Sequence, residues 1–252
     1  DTDISHLGPC NRTPIHYLAE RPELNDFITI IEKHNKIDTD RLFTALDQQD
    51  GAGWTPLHLA ADFQQPEDFI ALINRAPQQA LENYLVTPDE IGWTALHDSA
   101  RYGPRDVFIT LVNRASQPAL NQALILPTQN CWTALHLAAR YCSEDAFFAL
   151  INRASQQPVD NALCEPNDAG WTLLHLVARY QTPKAFEALI AKVSKEKLGD
   201  ALTLTSQNGK TPLFIAEEKE SSDMVFSLFK KIENRETLST LLCQAPDSAN
   251  QR

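Results

Sequence analysis

The sequence predicts an all-α solenoid of six stacked units, each a helix–turn–helix with a short third helix and a projecting finger. Three observations predict it. Thr55, Thr94, Thr133, Thr172 and Thr211 recur every 39 residues, and Thr13 lies 42 before Thr55. Fourteen residues after each Thr comes Phe27, Phe69, Phe108, Phe147, Phe186 or Val225, and three further on Ile30, Leu72, Leu111, Leu150, Leu189 or Leu228. The segment before each next Thr carries two apolar residues four apart: Leu81/Leu85, Leu120/Leu124, Val159/Leu163 and Leu198/Leu202. A register kept through six units marks one supersecondary block that buries its apolar face only by stacking on its neighbours.

Each element has a local cause. The Thr hydroxyl caps the first helix, and Pro14, Pro56 and Pro212 suit its first turn. Leu57 and Ala61, spaced i, i+4, form one buried stripe. The second helix, such as 66–76, buries Phe69, Leu72 and Ile73. It ends on a cation in every unit (Lys33, Arg75, Arg114, Arg153, Lys192, Lys231), which complements the negative end of the helix dipole. Ser116, Ser155 and Ser194 stand as N-caps of the third helix. "TPDEIGW" and "EPNDAGW" are turn chemistry leading into a finger. The units therefore run 11–52, 53–91, 92–130, 131–169, 170–208 and 209–244, between a lead-in at 1–10 and a tail at 245–252. The first and last read as caps. The last replaces the motif His by Phe214 and an Ala by Glu217, and polar terminal units keep a solenoid soluble.

"TPLHLAA" at 55–61 resembles the core signature of the ankyrin repeat, and the resemblance extends over roughly residues 9–232. Ankyrin repeats usually run about 33 residues. The extra residues here fall in the third helix. The resemblance implies that the motif histidines His16, His58, His97, His136 and His175 hydrogen-bond backbone near the finger. It also implies that the position before each Thr and the end of each first helix face a concave, partner-binding side. Those positions hold Trp54, Trp93, Trp132 and Trp171, then Asp62-Phe63, Arg101-Tyr102, Arg140-Tyr141 and Arg179-Tyr180. Trp, Tyr and Arg are the residues most enriched at binding hot spots.

Two readings of these columns stay open. A residue repeated identically serves each unit, so the Trp column can be structural, stacked against the added helix. The Arg-Tyr pairs can bind directly or form a cation–π ladder, with Tyr102 meeting Arg140 of the next unit. The irregularities are the stronger candidates for specific contact: Asp62 and Phe63, Asp98 with Ser99, and the finger tips Glu90-Ile91, Gln129-Asn130 and Asp168-Ala169. Asp98 and Ser99 stand where sister units have Leu-Ala or Leu-Val, and a polar residue there must be exposed, hydrogen-bonded or costly.

Composition narrows the function. The formal net charge of −11 argues against nucleic acid or an anionic membrane as partner. It also disfavours single strands stacked on the aromatic stripe. No apolar run approaches the ~18 residues of a membrane span. Five cysteines without CxxC pairs indicate reduced thiols in a cytosol-like compartment. The chain opens at Asp1 and reads as an excised piece. A His ladder with helices about 8–10 Å apart cannot converge on one zinc at roughly 2 Å, so no metal is expected. No nucleophile elbow, HExxH, phosphate loop or paired-carboxylate motif is present. Cys131 and Cys142 lack an activating context beyond His136. Neither catalytic residues nor a cofactor are therefore expected. The expected function is non-catalytic recognition of a protein presenting acidic or phosphorylated residues, by a cytoplasmic monomer. The repeat style resembles ankyrin proteins of intracellular bacteria, many of them secreted effectors, which implies a host-cytosol setting. The alternative is the substrate-recruiting arm of a larger enzyme.

Overall fold

The computed structural model describes residues 7–21, 45–63, 65–219 and 221–231. Phe27, Ile30, Lys33, Cys243 and the tail at 245–252 lie outside the described residues. Among the described residues the regular elements are a 3-10 turn (Pro9–Asn11) and α-helices α1 (Pro14–Ala19), α2 (Pro56–Phe63), α3 (Pro66–Arg75), α4 (Gln78–Val86), α5 (Ala95–Arg101), α6 (Arg105–Arg114), α7 (Gln117–Ile125), α8 (Ala134–Tyr141), α9 (Glu144–Arg153), α10 (Gln156–Cys164), α11 (Leu173–Tyr180), α12 (Pro183–Lys192), α13 (Lys195–Thr203), α14 (Pro212–Glu218) and α15 (Ser222–Lys231). Helices α2 to α13 form four complete triplets, so the third helix expected from the Leu81/Leu85-type pairs is present in each. The chain divides into two compact units, Asp1–Gln129 and Asn130–Arg252.

The Thr-His pair starts the first helices. In each repeat from Thr13 to Thr172 the backbone N–H of Thr donates to Nδ1 of the His three residues on, at 3.0–3.3 Å. Nδ1 is thereby an acceptor, so the Thr hydroxyl at 2.8–2.9 Å donates to it too. This leaves the imidazole proton on Nε2. His16 Nε2 donates to the Trp54 carbonyl at 3.1 Å, and His175 Nε2 to the Lys210 carbonyl at 3.0 Å. One ring thus caps its own helix and ties the repeat to the next finger, the role implied by the family resemblance.

In the N-terminal unit α1 packs on α2, α3 on α6, and α4 on α7. In the C-terminal unit α8 packs on α11 and α11 on α14, with α9, α12 and α15 forming a second row and α10 and α13 a third. The Phe column (Phe69, Phe108, Phe147, Phe186) is fully buried, each side chain contributing about 1.5–3 kcal/mol. The third-helix pairs are equally buried, from Leu81 to Leu202. Ser116 and Ser194 accept from the backbone N–H three residues on, at 3.4 and 3.3 Å. The cations closing the second helices reach further than the dipole argument foresees. Arg114 donates to the Ala76 carbonyl (3.1 Å), and Lys231 to those of Ala191 (3.2 Å) and Val193 (2.9 Å). Each therefore satisfies carbonyls at the end of the preceding repeat's second helix, groups that the helix itself leaves orphaned.

Candidate functional site

The fingers are built by an Asx turn. The side-chain oxygen of Asp50, Asp89 and Asn167 accepts the N–H groups two and four residues on, at 2.7–3.0 Å. Gly53, Gly92, Gly170 and Gly209 follow at φ from +71° to +82°. Cys131 occupies the same position at φ +59°, a left-handed conformation that costs an L-residue energy. The predicted finger tips are exposed apart from the half-buried Ala169, and their backbones link neighbouring repeats. In the N-terminal unit the N–H of Gln129 donates to the Ile91 carbonyl (3.2 Å), and its Nε2 to that of Glu90 (3.0 Å). In the C-terminal unit the Asp168 N–H donates to the Asn130 carbonyl (3.1 Å) and the Gln207 N–H to that of Ala169 (3.3 Å). Asp168 Oδ1 also accepts from Trp132 Nε1 at 3.1 Å.

The Trp column lies against the motif histidines. Trp54, Trp93, Trp132 and Trp171 are half-buried, each beside the motif His of its own repeat with ring centroids 6.0–6.5 Å apart. The indole shields the ring that holds the cap. On its other side it carries the first-helix end: Tyr102 stacks on Trp93 at 5.8 Å, and Tyr180 lies 6.4 Å from Trp171.

In the C-terminal unit a cation–π contact runs between successive repeats. The Arg140 guanidinium lies 5.5 Å from Trp132, 5.1 Å from Tyr141 and 5.5 Å from Tyr180 of the following repeat. Arg thus meets the Tyr after it, because helical side chains lean towards the N-terminus of their own helix. In the N-terminal unit Arg101 lies over Trp93 and Tyr102, at 5.9 and 5.1 Å. Arg101, Arg140 and Arg179 are exposed, and so are Phe63, Tyr102, Tyr141 and Tyr180.

Asp98 and Ser99 behave differently from one another. Ser99 is buried, and its hydroxyl donates to the Ala95 carbonyl at 2.7 Å. Asp98 is half-buried on α5. Burial, then the charges of Asp89 and Asp62, push its carboxyl up to about 7. It lines a cavity of about 310 Å3 in the N-terminal unit, with Asp62 of α2, Phe69 of α3, Tyr84 of α4, and Tyr102 and Gly103 beyond α5. Helices α2 and α5 lack the close backbone approach of α8 with α11, and the cavity occupies that gap. The sequence reading missed Tyr84 and Gly103. The signal was available: Tyr84 stands where the other third helices have Ala123, Ala162 and Ala201.

Cys142 is half-buried. Burial pushes the Cys142 thiol up to about 12. The ring nitrogens of His16 and His175 are committed to hydrogen bonds. Among the described residues no group of three or more His, Cys, Asp or Glu could hold a metal ion, and no helix is long and apolar enough to cross a membrane.

Capped first helices, buried second helices and backbone-linked fingers define a helical-repeat scaffold that presents side chains from its fingers and first-helix ends. Residues 135–238 match the family model for ankyrin repeats in three copies. Among curated protein sequences none is significantly similar to the chain. Solved structures share the fold. The ankyrin repeat domain of Bcl-3, a member of the IkappaB protein family, is 17% identical, with a TM-score of 0.57 over 87% of this chain and 86% of its own. An ankyrin repeat domain from Acinetobacter baumannii AYE is 19% identical, with a TM-score of 0.56 over 86% of this chain and 97% of its own. A chain from the complex of the predatory endopeptidase Bd0816 from Bdellovibrio bacteriovorus with immunity protein Bd3460 is 24% identical, with a TM-score of 0.53 over 90% of this chain and 100% of its own. At these identities the likeness is one of fold. Ankyrin repeats are protein–protein interaction modules.

Proposed function

We propose that the chain recognises a partner protein through the finger tips and first-helix ends, and that the partner presents carboxylate or phosphate groups there. The carrying observation is the run of exposed aromatic rings at those helix ends, from Phe63 (52% exposed) to Tyr102 (71%), Tyr141 (39%) and Tyr180 (45%). Large rings held by local stacking bind at low entropic cost, because their rotamers are already restricted. The Arg140 guanidinium is exposed beside the Trp132 and Tyr180 rings, and its N–H groups are available to a partner. Those groups match carboxylate or phosphate in bidentate geometry. No catalytic role is assigned to the chain.

The test is a pull-down from eukaryotic cell lysate with the original chain and with Arg101, Arg140 and Arg179 all replaced by Glu. The expected result is a protein retained by the original and lost by the variant, with binding that weakens as salt rises. Equal capture by both would remove the arginines from the contact surface.

A further inference from the structure

Four positions depart from their counterparts in the other repeats, and all four line the cavity of the N-terminal unit. Asp98 stands where sister helices have Leu59, Leu137 and Leu176, and Asp62 where they have Arg101, Arg140 and Arg179. Tyr84 stands in a column of Ala, and Gly103 where Cys142 and Gln181 stand. In the C-terminal unit Gln181 is buried, and its amide reaches back to the carbonyls of Ala139 (3.0 Å) and Cys142 (3.1 Å). That side chain fills the space between successive first helices. Gly103 brings no such arm: a Cβ there would meet the Ser99 backbone at 2.7 Å, and the cavity lies beside it.

The polar groups around it are all acceptors or one-proton hydroxyls. Tyr84 is 2% exposed, and its phenol has no hydrogen-bond partner among the described residues, although a buried tyrosine hydroxyl ordinarily has one. The charges of both Asp98 and Asp62 act on it. The Asp98 carboxylate likewise has no hydrogen-bond partner among the described residues. Two carboxylates and a phenol therefore line one cavity whose only side-chain donors are one-proton hydroxyls. The Phe69 and Tyr102 rings wall it, and such walls suit a methylene stem and a cation above a ring face.

We propose that this cavity seats an alkylammonium group, the side chain of a lysine presented by the partner protein. An ammonium has three donors and no acceptor. They match Asp98, Asp62 and the Tyr84 oxygen one to one. A guanidinium holds its five donors in a fixed plane suited to bidentate pairing with one carboxylate, whereas the ammonium's three donors rotate freely to three separate acceptors. The inference rests on the protein-recognition reading only for the source of the cation, and it uses none of the three arginines.

The test is a titration of the full 252-residue chain, followed by backbone amide NMR. The probes are Nα-acetyl-lysine methylamide, its Nζ-acetylated neutral counterpart, and n-butylammonium. The expected result is saturable shifts at Tyr84 and across 98–107 with the lysine derivative and none with the neutral one. Asp98→Leu and Tyr84→Phe should each weaken binding about tenfold or more. Leu is the sister residue at 98, so that variant keeps the fold. The Arg140/Arg179→Glu variant, altered only in the C-terminal unit, should bind the amine unchanged, which separates this site from the arginine surface. Absence of saturable shifts, equal shifts with the neutral derivative, or undiminished binding by Asp98→Leu would overturn the proposal. Preference for n-butylammonium over the lysine derivative would overturn the assignment to a lysine.

Discussion

Replacing Asp98 with Leu should stabilise the chain, and the gain should grow with pH. Asp98 holds its proton to about pH 7, against an ordinary 3.8, because burial and the charges of Asp89 and Asp62 oppose ionisation. Between those two values the folded chain keeps a proton that the unfolded chain has released, so stability falls as pH rises. Below the ordinary value the carboxyl is neutral in both states. Above about 7 it is ionised in both, and the full cost is present. The gap corresponds to about 4 kcal/mol at about 1.36 kcal/mol per pKa unit. Solvent at the cavity mouth, where Asp98 is only half-buried, lowers that to about 2–4 kcal/mol. Asp98→Asn removes the charge without adding apolar packing, and Asp98→Leu adds the packing of the sister repeats. Urea unfolding of the original and both variants at pH 5 and pH 8 checks this. Both variants should gain more at pH 8, with Leu above Asn. A gain equal at the two pH values, or a Leu variant less stable than the original at pH 8, would refute the claim that a carboxylate ionises there against its surroundings.

His175→Ala should cost about 2–4 kcal/mol at pH 7, since it removes the helix cap and the tie to the Lys210 carbonyl. Burial lowers the His175 ring to about 4 from an ordinary 6.5. Its contribution should therefore fade as pH drops from 6.5 towards 4, where the unfolded chain binds the proton first, and the variant should lack that part of the acid sensitivity in denaturant melts. Cys131→Gly should stabilise by about 1 kcal/mol, because the residue sits at φ +59° where the other fingers use Gly. An unchanged unfolding midpoint would mean that the finger relaxes without cost.

The regular part of the molecule was legible because it is local and repeated. A Thr-His pair three residues apart caps a helix whatever lies beyond it, so one string read five times locates five helix starts. The pairs Leu81/Leu85 and Leu120/Leu124 announced a third helix through i, i+4 spacing alone, and all four residues are buried. Where each side chain points across repeats was harder to read. The Trp column lies beside the motif His, and Arg140 meets Tyr180 of the next repeat. Those choices depend on the lean and offset of stacked helices, which periodicity does not encode.

The candidate site divides in the same way. Asp62 and Asp98 stood out in the sequence because each breaks a column. Tyr84 and Gly103 break columns too, but a Tyr in an amphipathic helix and a Gly after one are ordinary where they stand. Only the tertiary structure brings these four positions, from three helices and a turn, to one cavity. By itself the sequence determined the repeat, its caps, its three-helix unit and the class of interaction module. The tertiary structure decided which exceptions to the pattern share a space, because a cavity is defined by what neighbouring repeats fail to fill.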